Sequence, residues 1–412
     1  MTLKNACRNR TCPEGISRRE FLGLTMITAA GLLVGCRSGQ QAESALALVN
    51  GRLIDGTGAE ALSDGALVIR GKRIVAAGGR AQLVIPADAE VVEVQGGTIL
   101  PGFINAHVHE AFDEDTLRAW ARGGVTTVRD LGAAGPYDAE VFRRRDALGA
   151  TPGCARLVAA GPFVNVEGGY PIVYWGGDAL TITSPEEARQ AVNQLIDDGA
   201  DVIKTAFESG YSFGQSGWPL LTPEEATALV ETAHGRGVPV TAHLTSARDL
   251  GRALDAGVDE IAHMVADRLP DELITRMVDD GTRWVPTLEL WQGASRNFAV
   301  DYGPVSVDNL ARFVRAGGQV ALGTDYAGAP DIAFDLGMTI HEIGWMQEAG
   351  MTPLLIIVAA TRNAARACNM ESELGTLEAG KLADVLVVDG DPLEDLRALT
   401  SPRLVLREGM PI

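Results

Sequence analysis

From Ala45 the chain sets apolar against polar residues in short runs: ALALVNGRLID, GALVIRGKRIVAAGG and AEVVEVQGGTIL, separated by glycine-containing turns. Short alternating segments of this kind predict strands, so residues 45–98 read as a small β unit. After Pro101-Gly102 the rhythm changes. Strand-like runs now alternate with helix-like stretches: FINAHVH (103–109), VTTVRD (125–130), RLVAAG (156–161), DVIKTAF (201–207), VPVTAH (238–243), DEIAHM (259–264), RWVPTL (283–288) and QVALGTD (319–325). Two of the intervening helices open alike, with Ser184-Pro185 and Thr222-Pro223 supplying a capping hydroxyl and a first-turn proline. Strand–helix alternation argues for a parallel sheet, and eight such units over about 260 residues suit a closed (β/α)8 TIM barrel. From Leu374 the pattern turns back to β in LGTLEAGKLADVLVVDGD and LVLREGMPI. The expected fold is therefore α/β. The barrel (99–371) is inserted between two halves (45–98 and 372–412) of a composite β-sandwich.

The first 35 residues belong to a different physical class. Lys4, Arg8, Arg10, Arg18 and Arg19 precede the apolar run FLGLTMITAAGLLVG (21–35). That run is too short to span a bilayer comfortably but suits the apolar region of a signal peptide. SRREFL (17–22) looks like a twin-arginine export signal, and LVGC (33–36) resembles a bacterial lipobox. The expectation is a cleaved leader (1–35), lipidation of Cys36, and a polar tether (36–44) holding the protein to a bacterial membrane in the periplasm or at the cell surface. An uncleaved anchor is the alternative.

A composition of 46% hydrophobic and 22% charged residues is ordinary for a globular chain. A formal charge of -19 argues against a nucleic-acid surface. Of five cysteines only Cys154 and Cys368 lie beyond the leader and its cleavage point, with no zinc-type spacing, and two separate buried thiols are expected over a disulfide.

Polar residues with chemistry collect at one place in the pattern. His107 and His109 stand two apart at the end of the first barrel strand, so both imidazoles point the same way. His243 ends the fifth strand, His263 the sixth and Asp325 the eighth. Barrel active sites are built at these C-terminal strand ends. Four imidazoles with a carboxylate make a borderline-soft metal site, zinc first. The other two histidines, His234 and His341, lie at helix ends and are set aside as structural or exposed. Lys204 sits inside the apolar fourth strand, where a bare ammonium is costly.

The stretches GTILPGFINAHVHE (97–110), VTTVRDLG (125–132), VIKTA (202–206), VTAHLTS (240–246), EIAHM (260–264), ALGTD (321–325), AATRNAARA (359–367) and LGTLEAGKLADVLVVDGDPL (374–393) resemble the amidohydrolase superfamily. Their order is similar to that of its imidazolonepropionase-like branch, which includes Xaa-Pro dipeptidases with binuclear centres. The resemblance implies two divalent ions held by His107, His109, Lys204, His243, His263 and Asp325, with Lys204 carbamylated. A carbamate would replace an untenable cation by a bidentate anion. The implied reaction is hydrolysis of a C–N bond by a bridging hydroxide, with Asp325 as general base and then acid. The expected partner is a small-molecule substrate, and a homo-oligomer is left open.

A lactonase, arylesterase or phosphotriesterase on the same site is the first alternative. A mononuclear deaminase and a metal-free binding scaffold stand further off. Tyr170, Trp175, Tyr211 and Trp218, in the loops after the third and fourth strands, are expected to wall the pocket. Tyr211 is a candidate hydrogen-bond donor to the oxyanion. Arg129 is a candidate partner for a substrate carboxylate, with an internal salt bridge as the other reading.

Overall fold

Five strands open the described part of the chain in the computed structural model: β1 (Ala45–Leu53), β2 (Leu62–Arg70), β3 (Arg73–Gly79), β4 (Ala89–Glu93) and β5 (Gly97–Pro101). Ten more follow: β6 (Phe103–Val108), β7 (Val125–Asp130), β8 (Arg156–Ala159), β9 (Phe163–Asn165), β10 (Ala179–Thr181), β11 (Ile203–Ala206), β12 (Val240–His243), β13 (Glu260–Ala262), β14 (Arg283–Val285) and β15 (Gln319–Val320). Then come β16 (Val385–Asp389), β17 (Pro402–Arg407) and β18 (Met410–Pro411). The structure describes residues 44–132, 139–176, 179–298, 301–327 and 334–412. The expected leader, Cys36, the tether up to residue 43 and the side chain of Trp175 lie outside the described residues.

The two ends of the described chain share one eight-stranded sheet, ordered β18-β17-β16-β5-β1-β2-β3, with β4 also on β1. The join is the antiparallel pairing of β16 with β5, from Val385 opposite Pro101 to Asp389 opposite Gly97. Alternation decides its faces. Leu48 packs with Leu67, Ile99, Val385 and Val387, while Ala47 and Val49 pack with Ala66 and Val68.

Between these ends lie three parallel sheets, the small pair β9-β10 and two larger ones, β6-β7-β8 and β11-β12-β13-β14-β15. The edge strands of the larger two are linked by backbone hydrogen bonds. Asp201 donates to the Ala159 carbonyl at 3.0 Å on one side. On the other, Ala106 donates to Leu322 at 2.8 Å and His109 to Tyr326 at 2.6 Å.

Helices cover the strands, and their caps are legible in the sequence. Ser184 accepts from the Glu187 N–H at the start of helix 185–198, which ends at Gly199 in a left-handed turn (φ 115°). Thr222 and Glu225 form a reciprocal capping box at the start of helix 223–235. Trp120, Phe142, Leu195, Leu229, Leu250 and Met277 belong to one large buried cluster with Val128, Ile203 and Ile261 of the strands.

Several strands stop earlier than the hydrophobic pattern suggests. Regular pairing ends at Ala262, Val285 and Val320. Just beyond, His263 (φ 79°), Thr287 (φ 47°) and Asp325 (φ 59°) all take left-handed backbone conformations. Such conformations are costly for residues with a Cβ and persist where the surroundings enforce them. Cys154 and Cys368 are separate buried thiols, and burial pushes Cys368 up to about 12.

Candidate metal centre

His107, next to last in β6, is fully buried, and one residue of alternation places His109 beside it, with their Nε2 atoms 3.3 Å apart. The Nδ1 of His109 lies 2.9 Å from the Gly132 carbonyl. A carbonyl only accepts, so Nδ1 carries a proton and donates it to Gly132. Asp130 sets this geometry from the end of β7: its carboxylate accepts from the N–H groups of Ala111 and Gly132, both at 3.0 Å.

Asp325 draws three imidazoles together. Its Oδ1 is 2.9 Å from His109 Nε2 and 3.3 Å from His107 Nε2, and its Oδ2 is 3.2 Å from His263 Nδ1. Thr287 steadies the same His263 nitrogen at 3.1 Å. His107, His263 and Asp325 each offer a donor atom, and all three atoms lie within 4.8 Å of one another. His243 completes the row, its ring centroid 4.4 Å from that of His263.

Electrostatics favour ligand chemistry. Burial lowers His107 well below the ordinary histidine value, lowers His243 to about 3, and lowers His263 despite Asp325. Neutral imidazole is the form that binds metal. Burial alone would raise Asp325, but the surrounding His107 and His263, with hydrogen bonds from His109 and His263, outweigh it and hold the carboxyl well below its usual range. Burial likewise opposes a charge on His109, yet the Asp325 hydrogen bond and charge leave its pKa raised.

Lys204, on β11, is fully buried. Its Nζ has no hydrogen-bond partner and stands 5.4 Å from the centre of the Phe163 ring. Burial brings its pKa down to about 7. Its charge acts on His107, His243 and His263, and Asp325 acts on it, so it shares their electrostatic environment. His107 Nδ1 and both nitrogens of His243 also lack hydrogen-bond partners. Buried polar atoms are nearly always paired, so these orphans beside a buried carboxylate fit a set of metal donors.

The residues expected to wall the pocket divide. Tyr170 lies flat on His243, with ring centroids 3.8 Å apart and planes 16° apart. Trp218 is buried behind it, stacked at 6.4 Å, with its indole N–H donated to Gln215. Tyr211 is 53% exposed and caps Glu208 through its backbone N–H. Arg129 takes the internal salt bridge, one of the two readings its strand-end position left open. It is 1% exposed, donates to the Ala106 carbonyl at 2.6 Å, and pairs with the buried Glu260. Its donors are satisfied inside the sheet. His234 pairs with Asp259 on the surface at 2.9 Å.

Sequence reasoning missed Glu208. Fully buried, it lies 3.4 Å from His243 Nε2 and accepts from Thr245 and Gly210 at 2.6 Å each. An acid directly after an apolar strand run, four residues past Lys204, was the available signal. Trp291, 6.0 Å from His263 by ring centroids, was also unmarked.

Known proteins share this arrangement of chain. An ochratoxinase of Aspergillus niger is 28% identical over 412 residues, covering 86% of this chain and 83% of its own. An imidazolonepropionase of Symbiobacterium thermophilum is 26% identical over 378 residues, covering 80% and 85%. The crystal structure of a Xaa-Pro dipeptidase with bound methionine in its active site superposes with a TM-score of 0.75 at 26% identity, covering 90% of this chain and all of that one. The amidohydrolase family model matches residues 98–409, most of the sequence, and the chain belongs to the amidohydrolase family as a hydrolytic enzyme.

Proposed function

We propose that this enzyme hydrolyses a C–N bond of a small molecule (an amide, dipeptide or cyclic amide) with metal ions held by His107, His109, Lys204, His243, His263 and Asp325. The observation that carries the reading is the group of buried donor atoms without partners, at His107, His243 and Lys204, around the ionised Asp325. Two divalent ions, zinc first, fit that donor set, with Lys204 carbamylated to bring an anionic oxygen where the amine has none. Bound there, such ions would acidify a water and polarise the scissile carbonyl.

Each residue then has a task. Asp325, kept ionised by its imidazole neighbours, takes the proton of the attacking water on a carboxylate oxygen and returns it to the leaving nitrogen. His109 is fixed in one tautomer by Gly132, and His263 is held by Thr287, so neither has to reorganise. Tyr170 and Trp218 close one side against water, and Glu208 buttresses His243. The dipeptidase among the solved relatives supports a peptide-like substrate.

The same reading treats the two larger parallel sheets as one closed (β/α)8 barrel. The hydrogen bonds across both of their edges support it. The sheet shared by the chain ends is then a separate β layer (45–98 and 372–412). Residues 1–35 remain proposed as an export leader with Cys36 as lipid anchor, testable by radiolabelled fatty-acid incorporation and its loss in Cys36→Ala.

The test of function is turnover of a panel of dipeptides, N-acyl amino acids, lactones and aryl esters with zinc and bicarbonate supplied. Cleavage of amides above esters is expected. Ester or lactone turnover alone would reassign the bond, and no turnover after full metal loading would defeat the reading.

A further inference from the structure

We propose that Glu289, Asp335 and His341 form a separate binding site for one divalent transition ion, zinc or manganese. The three residues come from neighbouring connections, Glu289 from helix 288–298 after β14, and Asp335 and His341 from the segment and helix (340–348) after β15. One donor atom from each lies within 4.8 Å of the other two. His341 Nδ1 stands 2.9 Å from Asp335 Oδ2 and 3.8 Å from Glu289 Oε1.

The independent sign of a ligand is Glu289 itself. Its side chain is only 5% exposed and it is directed at His341, yet neither carboxylate oxygen has a hydrogen-bond partner. Among the described residues no Lys or Arg pairs with Glu289 or Asp335. Burying a carboxylate without a counter-cation is expensive: burial pushes Glu289 up to about 8, so without a cation it holds a proton near neutral pH, and a bound dication would displace that proton. A third acid sharpens the imbalance: Glu342 Oε2 accepts from the Glu289 N–H at 2.7 Å, while its Oε1 is buried without a partner.

Two carboxylates neutralise a dication, and one imidazole tilts the choice from calcium or magnesium toward zinc or manganese. His341 is 61% exposed, so water can complete the coordination and the ion can enter from solvent. Such an ion would tie helix 288–298 to helix 340–348. Trp291 on the first of these faces His263, so the tie would fix one wall of the reaction centre.

The test counts ions. The full chain, its His341→Ala and Asp335→Asn variants, and a His107→Ala/His109→Ala double variant are dialysed against zinc and, separately, manganese, then assayed by elemental analysis. The proposal expects each rim variant to hold one ion fewer per chain than the unaltered protein. It also expects the double variant to keep one ion that vanishes when His341→Ala is added. Because His341 is exposed, its replacement leaves the core intact. Rim variants that hold as many ions as the unaltered protein would overturn the proposal. The outcome for the main centre is read separately, from whether the double variant loses ions at all.

Discussion

Lys204 points its Nζ at the face of Phe163, 5.4 Å from the ring centre, with no acceptor in reach. Burial takes the amine from an ordinary 10.5 to about 7. The sign matters: the folded amine loses its proton as pH rises through about 7, where an exposed lysine keeps it. Only the neutral amine adds carbon dioxide. Metal-depleted protein given isotope-labelled bicarbonate is therefore expected to show a carbamate NMR signal at about pH 8 and to lose most of it at about pH 6. Lys204→Ala removes the signal at both.

Asp325 touches His107, His109 and His263 with its two oxygens, so removing its charge without changing its shape isolates the proton step. Asp325→Asn is expected to lower kcat by about 100- to 10,000-fold, the usual worth of a positioned base. KM and bound metal should change far less, as read by steady-state kinetics and elemental analysis.

Arg129 and Glu260 are both 1% exposed and paired to each other. Breaking a buried pair by deleting one partner costs about 3–5 kcal/mol. Glu260→Ala should lose stability of that order in urea denaturation. Arg129→Met should do likewise and weaken metal retention, because Arg129 also holds the carbonyl of Ala106, next to His107. A rise in KM with stability intact would instead restore Arg129 as a substrate contact.

Gly323 lies against β6, the strand that carries His107. A Cβ there would stand 2.4 Å from Val285 Cγ1 and 2.9 Å from the His107 backbone nitrogen. Both are closer than real contacts allow, and one is backbone. Gly323→Ala is expected to displace His107 and cut activity at least tenfold, with metal affinity falling in parallel. Unchanged metal binding would show that the strand can yield.

Much of this centre was legible because strand ends leave a local signature. His107 and His109 follow an apolar run at period two, and His243 closes another, so residue type and position together marked them. Other features depend on contacts distant in sequence. Arg129 sits at a strand end like a ligand, but only the fold brings Glu260, 131 residues away, against its guanidinium. Glu208 carries no periodicity, and its nearness to His243 follows from the pairing of β11 with β12. Beyond the early strand ends at Val285 and Val320 lie left-handed residues at Thr287 and Asp325; aspartate tolerates that conformation, but β-branched threonine does not favour it, so its residue type gave no signal.

The most direct measurement is an anomalous-scattering map of crystals grown with zinc and bicarbonate. The account predicts two peaks among His107, His109, His243, His263 and Asp325, with density extending beyond the Lys204 amine to reach both. An empty cluster, or a bare Lys204 still resting on Phe163 beside filled metal positions, would contradict it.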